Sequence, residues 1–381
     1  MDQDVAIVGV GESEYGVVPD RTALQLHADA AAAALEDAGL GLSDVDGLFS
    51  CGASPDLHVV RVAEYLGIRP DHVDSTLTGG GAWETMVEHA AAALAAGLCE
   101  VALVVYGSTQ RSDAGRRLGT GARGRATGPR QFEVPYGPPV VAEHALAAMR
   151  HMHEFGTTSE QLAAISVTTR QHAAHNPRAM YRDPITVDDV LGSRMISDPL
   201  HLLDCCVVSD GGGAVVLTRL DRARDLARPP VRVLGSGTSV SHMTVAQMPD
   251  LTDLPARRSG ELAYRRAGLG PGDVDVAQLY DSFTITMLLT LEALGFCERG
   301  EGGPFVASGA LAHDGALPTN TDGGGLSANH PGMRGVFLLI EATRQLRGEA
   351  DLQVDGAEVA LCNGTGGLLS ACGTVILGVD R

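Results

Sequence analysis

The sequence contains no lysine. All 28 of its basic residues are arginines, against 47 aspartates and glutamates. A chain without lysine cannot form a Schiff base, which excludes pyridoxal-dependent and amine-type aldolase chemistry, and it cannot build a P-loop, which needs a Gly-Lys pair. The formal net charge of −19 disfavours nucleic acid and anionic membranes as main partners, because binding phosphates requires excess positive charge. Any anionic ligand must therefore meet a local cluster of arginines.

Three further signatures are missing. There is no run of about 18 consecutive apolar residues, and the start "MDQDVAIVGVGES" has no basic region, so we expect neither a membrane span nor a signal peptide, and a cytoplasmic location. The 7 cysteines include no CxxC pair, which favours reduced thiols over disulfides or a structural zinc site. At 381 residues the chain is long enough for two core-bearing lobes.

The sequence does contain an internal duplication. "VAIVGVGES" at 5–13 returns as "VRVLGSGTS" at 231–239, and "AGLGLSDVDGLFSC" at 38–51 returns as "AGLGPGDVDVAQLY" at 267–280. Two more pairs follow in the same order: residues 78–107 with 321–364, and 209–220 with 364–379. Short β-branched runs alternate with helical segments in both halves. The pattern predicts two similar α/β lobes, residues 1–220 and 221–381.

The segment of about 108–200 has no counterpart in the second half. We expect a loop domain inserted in the first lobe, of the kind that covers a substrate or makes a subunit contact. Its first part concentrates six arginines on an acidic protein: Arg111, Arg116, Arg117, Arg123, Arg125 and Arg130. This cluster suits a phosphate-bearing ligand such as coenzyme A, and a solvated loop is the alternative.

Two glycine-rich motifs identify a family. "GGGLSANHPGMRG" at 323–335 and "ALCNGTGG" at 360–367, with the duplication and the inserted segment, resemble the thiolase superfamily, and within it the sterol carrier protein X and lipid-transfer-protein branch. The resemblance covers essentially the whole chain. It implies an α/β thiolase fold, in which two βαβαβ lobes form α-β-α-β-α layers, and an acyl-CoA thioester as substrate, with no covalently bound cofactor and no metal.

The resemblance also exposes a missing nucleophile. Thiolases carry a reactive cysteine in a glycine turn that opens a buried helix, but the matching turn "STLTGGGAW" at 75–83 has no cysteine. Thr78 or Ser75 stands near the position, and a hydroxyl without a strong base is a far poorer nucleophile than a thiolate. Covalent acyl-enzyme chemistry is therefore in doubt. Four glycines are expected to bring backbone N–H donors to the substrate: Gly79, Gly364, Gly366 and Gly367.

Other site residues match better. By resemblance, His330 activates the nucleophile and binds the thioester oxygen, and Cys362 moves a proton at the carbon nucleophile. In "YDSF", Tyr280 stands where thiolases carry Asn and the sterol carrier branch carries His. The steroid side-chain aldolases resemble this chain in having a tyrosine there, although they carry a second tyrosine near the His-Pro-Gly loop, where this chain keeps His330. Asp281 orients a neighbour or caps the following helix, and we favour the cap.

Several other residues attract attention without predicting a site. His151 and His153 are two residues apart, and so do not share a helix face. Together with His172 and His175, we interpret them as surface or packing residues. Three cysteines are interpreted as core: Cys99, Cys205 and Cys206. Trp83 either narrows the site or packs in the core.

These observations predict a thiolase-like enzyme that acts on the bond between the α and β carbons of acyl-CoA thioesters. The preferred reaction is non-covalent retro-aldol cleavage in lipid or steroid side-chain degradation. The alternatives are a Claisen-type acyltransferase using Cys362 and a non-catalytic lipid carrier or scaffold. The resemblance further implies a homodimer, formed by first-lobe edge strands near "EVALVVYGS" at 100–108, and a small zinc-ribbon/OB-fold partner protein.

Overall fold

The computed structural model describes residues 4–52, 57–113, 128, 130–136 and 140–380. The strands are β1 Val5–Glu12, β2 Gly47–Phe49, β3 His72–Asp74, β4 Val101–Ser108, β5 Met195–Ser197, β6 Leu200–His201, β7 Gly211–Arg219, β8 Val231–Val240, β9 Val276–Leu279, β10 Val359–Gly366 and β11 Ala371–Val379. The α-helices are α1 Ala23–Ala38, α2 His58–Leu66, α3 Ala82–Ala95, α4 Arg130–Glu133, α5 Val140–Phe155, α6 Ser159–Ala173, α7 Val187–Gly192, α8 Leu220–Ala223, α9 Ala256–Ala267, α10 Thr284–Ala293, α11 Gly302–Ala307 and α12 Gly335–Arg347.

The predicted duplication is confirmed element by element. In the first half, β1, α1, β2, α3, β4 and β7 follow one another in the order that β8, α9, β9, α12, β10 and β11 repeat in the second. Nine strands form one mixed sheet in the order β3-β2-β4-β7-β1-β8-β11-β10-β9. The two half-sheets are thus arranged about the contact between β1 and β8. Residue 220, where we expect the lobe boundary, is the first residue of α8, and the boundary itself stays a prediction.

Helices α3 and α12 form the central layer, because each contacts strands of both half-sheets. Helix α1 covers β1, β4 and β7, and α9 covers β8 and β11, so helices and half-sheets alternate as α-β-α-β-α. The central helices carry mostly apolar, fully buried side chains, including Trp83, Leu338 and Leu339. The main core cluster accordingly draws residues from both lobes.

Helix α1 illustrates how local sequence sets the elements. Its alanine-rich segment has a high intrinsic helix propensity. Thr22 and Gln25 form a reciprocal capping box at its start, and Gly39 ends it in the left-handed conformation with φ of 72°. Small side chains on this helix let it lie close to the strands beneath. A Cβ on Gly11 of β1 would lie 2.3 Å from the backbone nitrogen of Ala34.

The expected edge strand is wrong. The segment "EVALVVYGS" forms β4, which pairs with β2 on one side and with β7 on the other. The sheet ends instead at β3 in the first half and β9 in the second. A dimer built by strand pairing at the first lobe would therefore use β3, where Val73 is exposed. The position of a strand within a sheet depends on long-range pairing, which the local pattern of β4 does not contain.

Candidate active site

Tyr280 and His330 form a hydrogen-bonded pair in the second lobe. Tyr280 follows the last residue of β9, and its backbone N–H donates to the carbonyl of Asn363 in β10 at 2.9 Å. Its hydroxyl lies 2.9 Å from Nε2 of His330. The backbone N–H of His330 donates to Oγ of Ser209 at 3.0 Å, which fixes the loop that carries the histidine. Two residues that the sequence places 50 positions apart are therefore in direct contact.

Burial keeps both partners neutral. It raises the pKa of the Tyr280 hydroxyl well above its ordinary value, and nearby groups including Cys206 add to this shift. Burial, with the positive charge of Arg334, lowers the pKa of His330 to about 4. A raised pKa makes the tyrosine a weak proton donor, and a lowered pKa makes the imidazole a weak proton acceptor. The contact between them can therefore relay a proton from Tyr280 to His330 only as another group protonates the Tyr280 oxygen.

Asp281 does not cap the following helix, contrary to our expectation. Phe283 occupies the N-cap position of α10 and makes no side-chain cap bond. The Asp281 carboxylate instead accepts from the backbone N–H groups of Gly325 at 2.7 Å and Leu326 at 3.1 Å. These two residues belong to the π-helical turn Gly324–Ala328 that leads into His330. Asp281 thus holds the histidine loop against the strand end that carries Tyr280.

Arg334 also stabilises the loop that carries His330. It is fully buried, its Nε donates to the carbonyl of Asn329 at 3.1 Å, and its guanidinium pairs with Asp322. A buried cation requires such partners because desolvation is costly. Sequence reasoning missed Arg334, although it lies within the histidine motif, two residues after the Pro-Gly. Its role depends on Asp322, which the chain places 12 residues earlier.

The candidate glycines bring two backbones together. A Cβ on Gly79 would lie 2.7 Å from the Cα of Gly366, and one on Gly366 would lie 1.7 Å from the carbonyl oxygen of Thr78. A Cβ on Gly80 would lie 2.3 Å from Cζ of Tyr280. The turn before α3 therefore packs directly on the end of β10 and on the tyrosine ring. Gly364 and Gly367 belong to the same contact: a Cβ on Gly364 would lie 2.5 Å from the Cα of Gly81, and Gly367 has φ of 62°.

Cys362 lies in the interior of β10. Its Sγ donates to the carbonyl of Leu338 in α12 at 3.4 Å, and burial followed by the charge of Glu84 raises the pKa of the thiol well above its ordinary value. Glu84 is itself buried, and both its carboxylate oxygens lack a partner among the described residues. Burial raises the pKa of Glu84 to about 8. The environment favours a protonated thiol over the thiolate that nucleophilic attack requires.

Of the two hydroxyl candidates, only Thr78 adjoins the glycine turn closely. Its Oγ1 is buried without a partner among the described residues, whereas Ser75 is exposed beyond β3. The arginine cluster is described only in part. Arg111 is exposed, and its guanidinium donates to the carbonyl of Val208 at 3.0 Å. Arg116, Arg117, Arg123 and Arg125 lie outside the described residues, and Arg130 opens α4.

The histidines and cysteines interpreted as surface or packing residues lie in such positions. His151 is fully buried and contacts Glu292 at 3.0 Å, and His172 contacts the carbonyl of Thr319 at 3.1 Å. His153 and His175 are exposed. Within the described residues, no three metal-binding side chains cluster, and no helix is long and apolar enough to cross a membrane. Cys99, Cys205 and Cys206 are buried, and Trp83 is fully buried with its ring centroid 4.6 Å from that of Tyr106.

A cavity of about 570 Å³ is lined mainly by first-lobe residues, and neither Tyr280 nor His330 is among them. Gly79 and Gly332 contribute to its wall. Gly79 adjoins Gly80, which packs on the Tyr280 ring, and Gly332 lies two residues after His330. Tyr106 lines it too, and donates to the carbonyl of Pro331 at 2.6 Å. His27 and His58 also line it, with their ring centroids 5.3 Å apart. No motif marks these residues, because α1 and α2 are brought together only by packing.

Comparisons with known proteins agree with this architecture. The family model described as "Thiolase C-terminal domain-like" matches residues 237–379. A steroid side-chain-cleaving aldolase of Thermomonospora curvata is 41% identical over 99% of this chain and 98% of its own. A 17-hydroxy-3-oxo-4-pregnene-20-carboxyl-CoA lyase of Mycobacterium tuberculosis is 40% identical over 95% of this chain and 96% of its own.

Solved structures of related proteins share this architecture. The Ltp2-ChsH2(DUF35) aldolase superposes with a TM-score of 0.90 at 36% identity, covering 100% of this chain and 98% of that one. Human mitochondrial 3-ketoacyl-CoA thiolase shares the fold, with a TM-score of 0.72 at 18% identity and 99% coverage of both chains. The duplicated, layered architecture is thus the thiolase fold. The chain belongs to the thiolase superfamily, in the branch of sterol-carrier-type thiolases and steroid side-chain aldolases, and it is an enzyme.

Proposed function

We propose that the enzyme cleaves the bond between the α and β carbons of a 3-hydroxyacyl-CoA thioester by a retro-aldol reaction without a covalent intermediate. The observation that carries the proposal is the buried 2.9 Å contact between Tyr280 and His330. The names of two relatives, a side-chain-cleaving aldolase and a carboxyl-CoA lyase, support carbon–carbon cleavage of a steroid-type acyl-CoA.

The proton path follows the contact between Tyr280 and His330, and the raised pKa of Tyr280 with the lowered pKa of His330 requires the two proton transfers to occur together. The β-hydroxyl of the substrate gives its proton to the Tyr280 oxygen as the tyrosine passes its own proton to Nε2 of His330. The Cα–Cβ bond breaks, the β carbon becomes a ketone, and the bonding electrons form the thioester enolate. The proton on His330 then returns to the α carbon. The products are a ketone and a shortened acyl-CoA, whose atoms sum to the substrate.

The enolate requires stabilisation while it carries charge. Backbone N–H groups of the turn before α3 and of the Gly364–Gly367 segment are the donors that we assign to it, because helix N-termini and glycine turns present unpaired N–H groups. Asp281 and Arg334 act by positioning the loop that carries His330. The arginines of the inserted segment are assigned to the phosphates of coenzyme A.

The alternative is Claisen-type acyl transfer through Cys362. Its thiol points to the carbonyl of Leu338 and has a raised pKa, which favours a core role over a nucleophilic one. We further propose that the enzyme is a homodimer and works with a small zinc-ribbon/OB-fold partner, because the related Ltp2-ChsH2(DUF35) aldolase is named for two components.

The test is a product analysis with the purified protein, with and without such a partner. A 3-hydroxyacyl-CoA with a bulky ring at the β carbon should give a ring ketone and a shortened acyl-CoA, and intact-protein mass spectrometry should find no acyl adduct. An adduct on Cys362 or Thr78 would instead identify an acyltransferase. Unchanged ligand in both preparations would identify a carrier.

A further inference from the structure

We propose that Glu84 must be an uncharged acid for the enolate to form, so that ionisation of Glu84 stops carbon–carbon cleavage at alkaline pH. This inference deepens the proposed function and rests on it. Glu84 lies in the first turn of α3, directly after the glycine turn whose N–H groups we assign to the enolate. Its side chain is 1% exposed, and neither carboxylate oxygen has a partner among the described residues. A buried carboxylate without partners is costly, and such a group binds a proton instead.

The carboxyl group of Glu84 lies where the glycine turn, β10 and the start of α12 meet. A Cβ on Gly364 of β10 would lie 2.2 Å from Oε2 of Glu84, and one on Gly335 of α12 would lie 2.5 Å from the same oxygen. The Cβ on Gly335 would also lie 2.4 Å from the carbonyl oxygen of Gly80. A protonated carboxyl group can donate to a carbonyl, whereas a carboxylate, which only accepts, cannot. The geometry around Glu84 therefore favours the acid form.

No cation in the described part of the chain pairs with Glu84. Arg334, at the N-cap of α12, is paired with Asp322, and Arg266 is paired with Glu88, one turn further along α3. Burial raises the pKa of Glu84 to about 8, and its own backbone N–H has a smaller, opposite effect. Glu84 is therefore neutral at neutral pH and becomes negative as the pH rises through about 8.

A negative charge on Glu84 acts on the groups around the site. Burial is the main cause of the raised pKa of Tyr280, and the charge of Glu84 adds to it. The same charge adds to the effect of burial on the thiols of Cys362 in β10 and Cys372 in β11, whose pKa values are raised. The enolate is a further negative charge, and like charges in a site without water oppose each other strongly. Ionised Glu84 should therefore slow formation of the enolate and leave binding of the uncharged acyl group little changed.

The pH dependence of cleavage by the full-length protein tests the proposal. The probe is the 3-hydroxyacyl-CoA with a bulky ring at the β carbon, and release of the ring ketone is followed from neutral to alkaline pH. We expect kcat to decline with a midpoint near pH 8 and to be about tenfold lower at about pH 9 than at neutral pH, with KM little changed. Returning the protein to neutral pH should restore the full rate, because Glu84 regains its proton.

Two variants without an ionisable group at this position locate the effect. Glu84→Gln keeps the shape and a hydrogen-bond donor, Glu84→Met keeps the volume, and each should remove the alkaline decline. Glu341→Gln is the matched control. Burial, followed by the charge of Asp322, raises the pKa of the buried Glu341 to about 7, but its carboxylate accepts from Thr321 at 2.6 Å and from Gln345 at 3.1 Å. The control should keep the alkaline decline.

A wild-type rate that stays constant through about pH 9 would overturn the proposal, and so would a decline that is irreversible or that survives in the Glu84 variants. If Glu84→Gln does not fold, Glu84→Met takes its place.

Infrared difference spectra between the wild type and Glu84→Gln give a second measurement that needs no substrate. The carbonyl stretch of a protonated acid should be present at neutral pH and should disappear as the pH rises through about 8. Its absence at neutral pH would also refute the proposal. The two proposals fail separately. Cleavage without an alkaline decline refutes the role of Glu84 alone, whereas the absence of cleavage at every pH refutes the proposed function, and the infrared spectra still report the charge of Glu84.

Discussion

The two lobes use the same end of their half-sheets for different purposes. In the first lobe, β2 is followed by Ser50 and Cys51, and Ser50 holds His58 beside the cavity. In the second lobe, β9 is followed by Tyr280 and Asp281, which hold and contact the histidine loop. In the repeat, Cys51 stands where Tyr280 stands. Duplication therefore supplied two equivalent positions at the carboxyl ends of parallel strands, and the second lobe places the Tyr280–His330 pair there while the first places Ser50 and Cys51.

Replacing Tyr280 tests this division most directly. Tyr280→Phe keeps the ring that packs on Gly80 and deletes the hydroxyl, so turnover should fall by roughly 10²–10⁴-fold, the usual worth of a positioned proton-transfer group. Stability should fall by only about 1 kcal/mol. Steady-state cleavage and thermal unfolding measure the two effects. Tyr264→Phe, which removes a hydroxyl bonded to Leu294 in the same lobe, is the control. Full activity in Tyr280→Phe would reject the mechanism.

Asp281 should show an intermediate effect, since it acts through the histidine loop. Asp281→Asn places an amide where two backbone N–H groups need an acceptor, and we expect turnover to fall by roughly 10- to 100-fold, with KM little changed and a stability loss of about 1–3 kcal/mol. The matched control is Asp275→Asn, because Asp275 also accepts from two backbone N–H groups at 2.9 Å but is exposed. Equal losses in both variants would reduce Asp281 to a structural role.

Acidic pH should lower turnover and stability through protonation of His330. A pKa lowered to about 4 predicts that turnover stays constant from neutral pH to about pH 5 and declines as the pH approaches 4. The unfolded chain takes up this proton near the ordinary value of about 6.5. The stability that the neutral His330 side chain contributes is therefore complete above about pH 6.5 and is lost as the pH falls toward 4. Rate measurements and urea unfolding across this range check both statements, and a decline of turnover centred near pH 6.5 would contradict them.

The smallest expected effect comes from Cys362. Cys362→Ala removes a buried thiol from β10, and the retro-aldol mechanism predicts a loss of turnover below about tenfold. Cys51→Ala, at the repeat position of Tyr280, should likewise cost only packing, about 1 kcal/mol of unfolding free energy. Comparing kcat and melting temperature for the two variants separates chemistry from packing. Near-complete inactivation by Cys362→Ala alone would favour the acyltransferase.

The sequence predicted the fold because duplication, glycine turns and strand patterns are local features. It also named Tyr280 and His330, since the family motifs carry them. It failed where distant segments meet: Asp281 finds its partners 44 and 45 residues away, and His27 meets His58 through helix packing. The prediction that β4 lies at the sheet edge was wrong for the same reason. β4 becomes interior only by pairing with β7, which follows it by about a hundred residues.

The contact between β1 and β8 has a consequence for how the molecule opens. These strands pair only at Ala6 with Arg232 and Ile7 with Val231, whereas β8 pairs with β11 along nearly its whole length. Amide hydrogens at this seam are protected by few neighbours in the sheet, so in hydrogen-exchange measurements they should exchange before those of β11. The two half-sheets are then held together mainly by α3 and α12, which pack on strands of both.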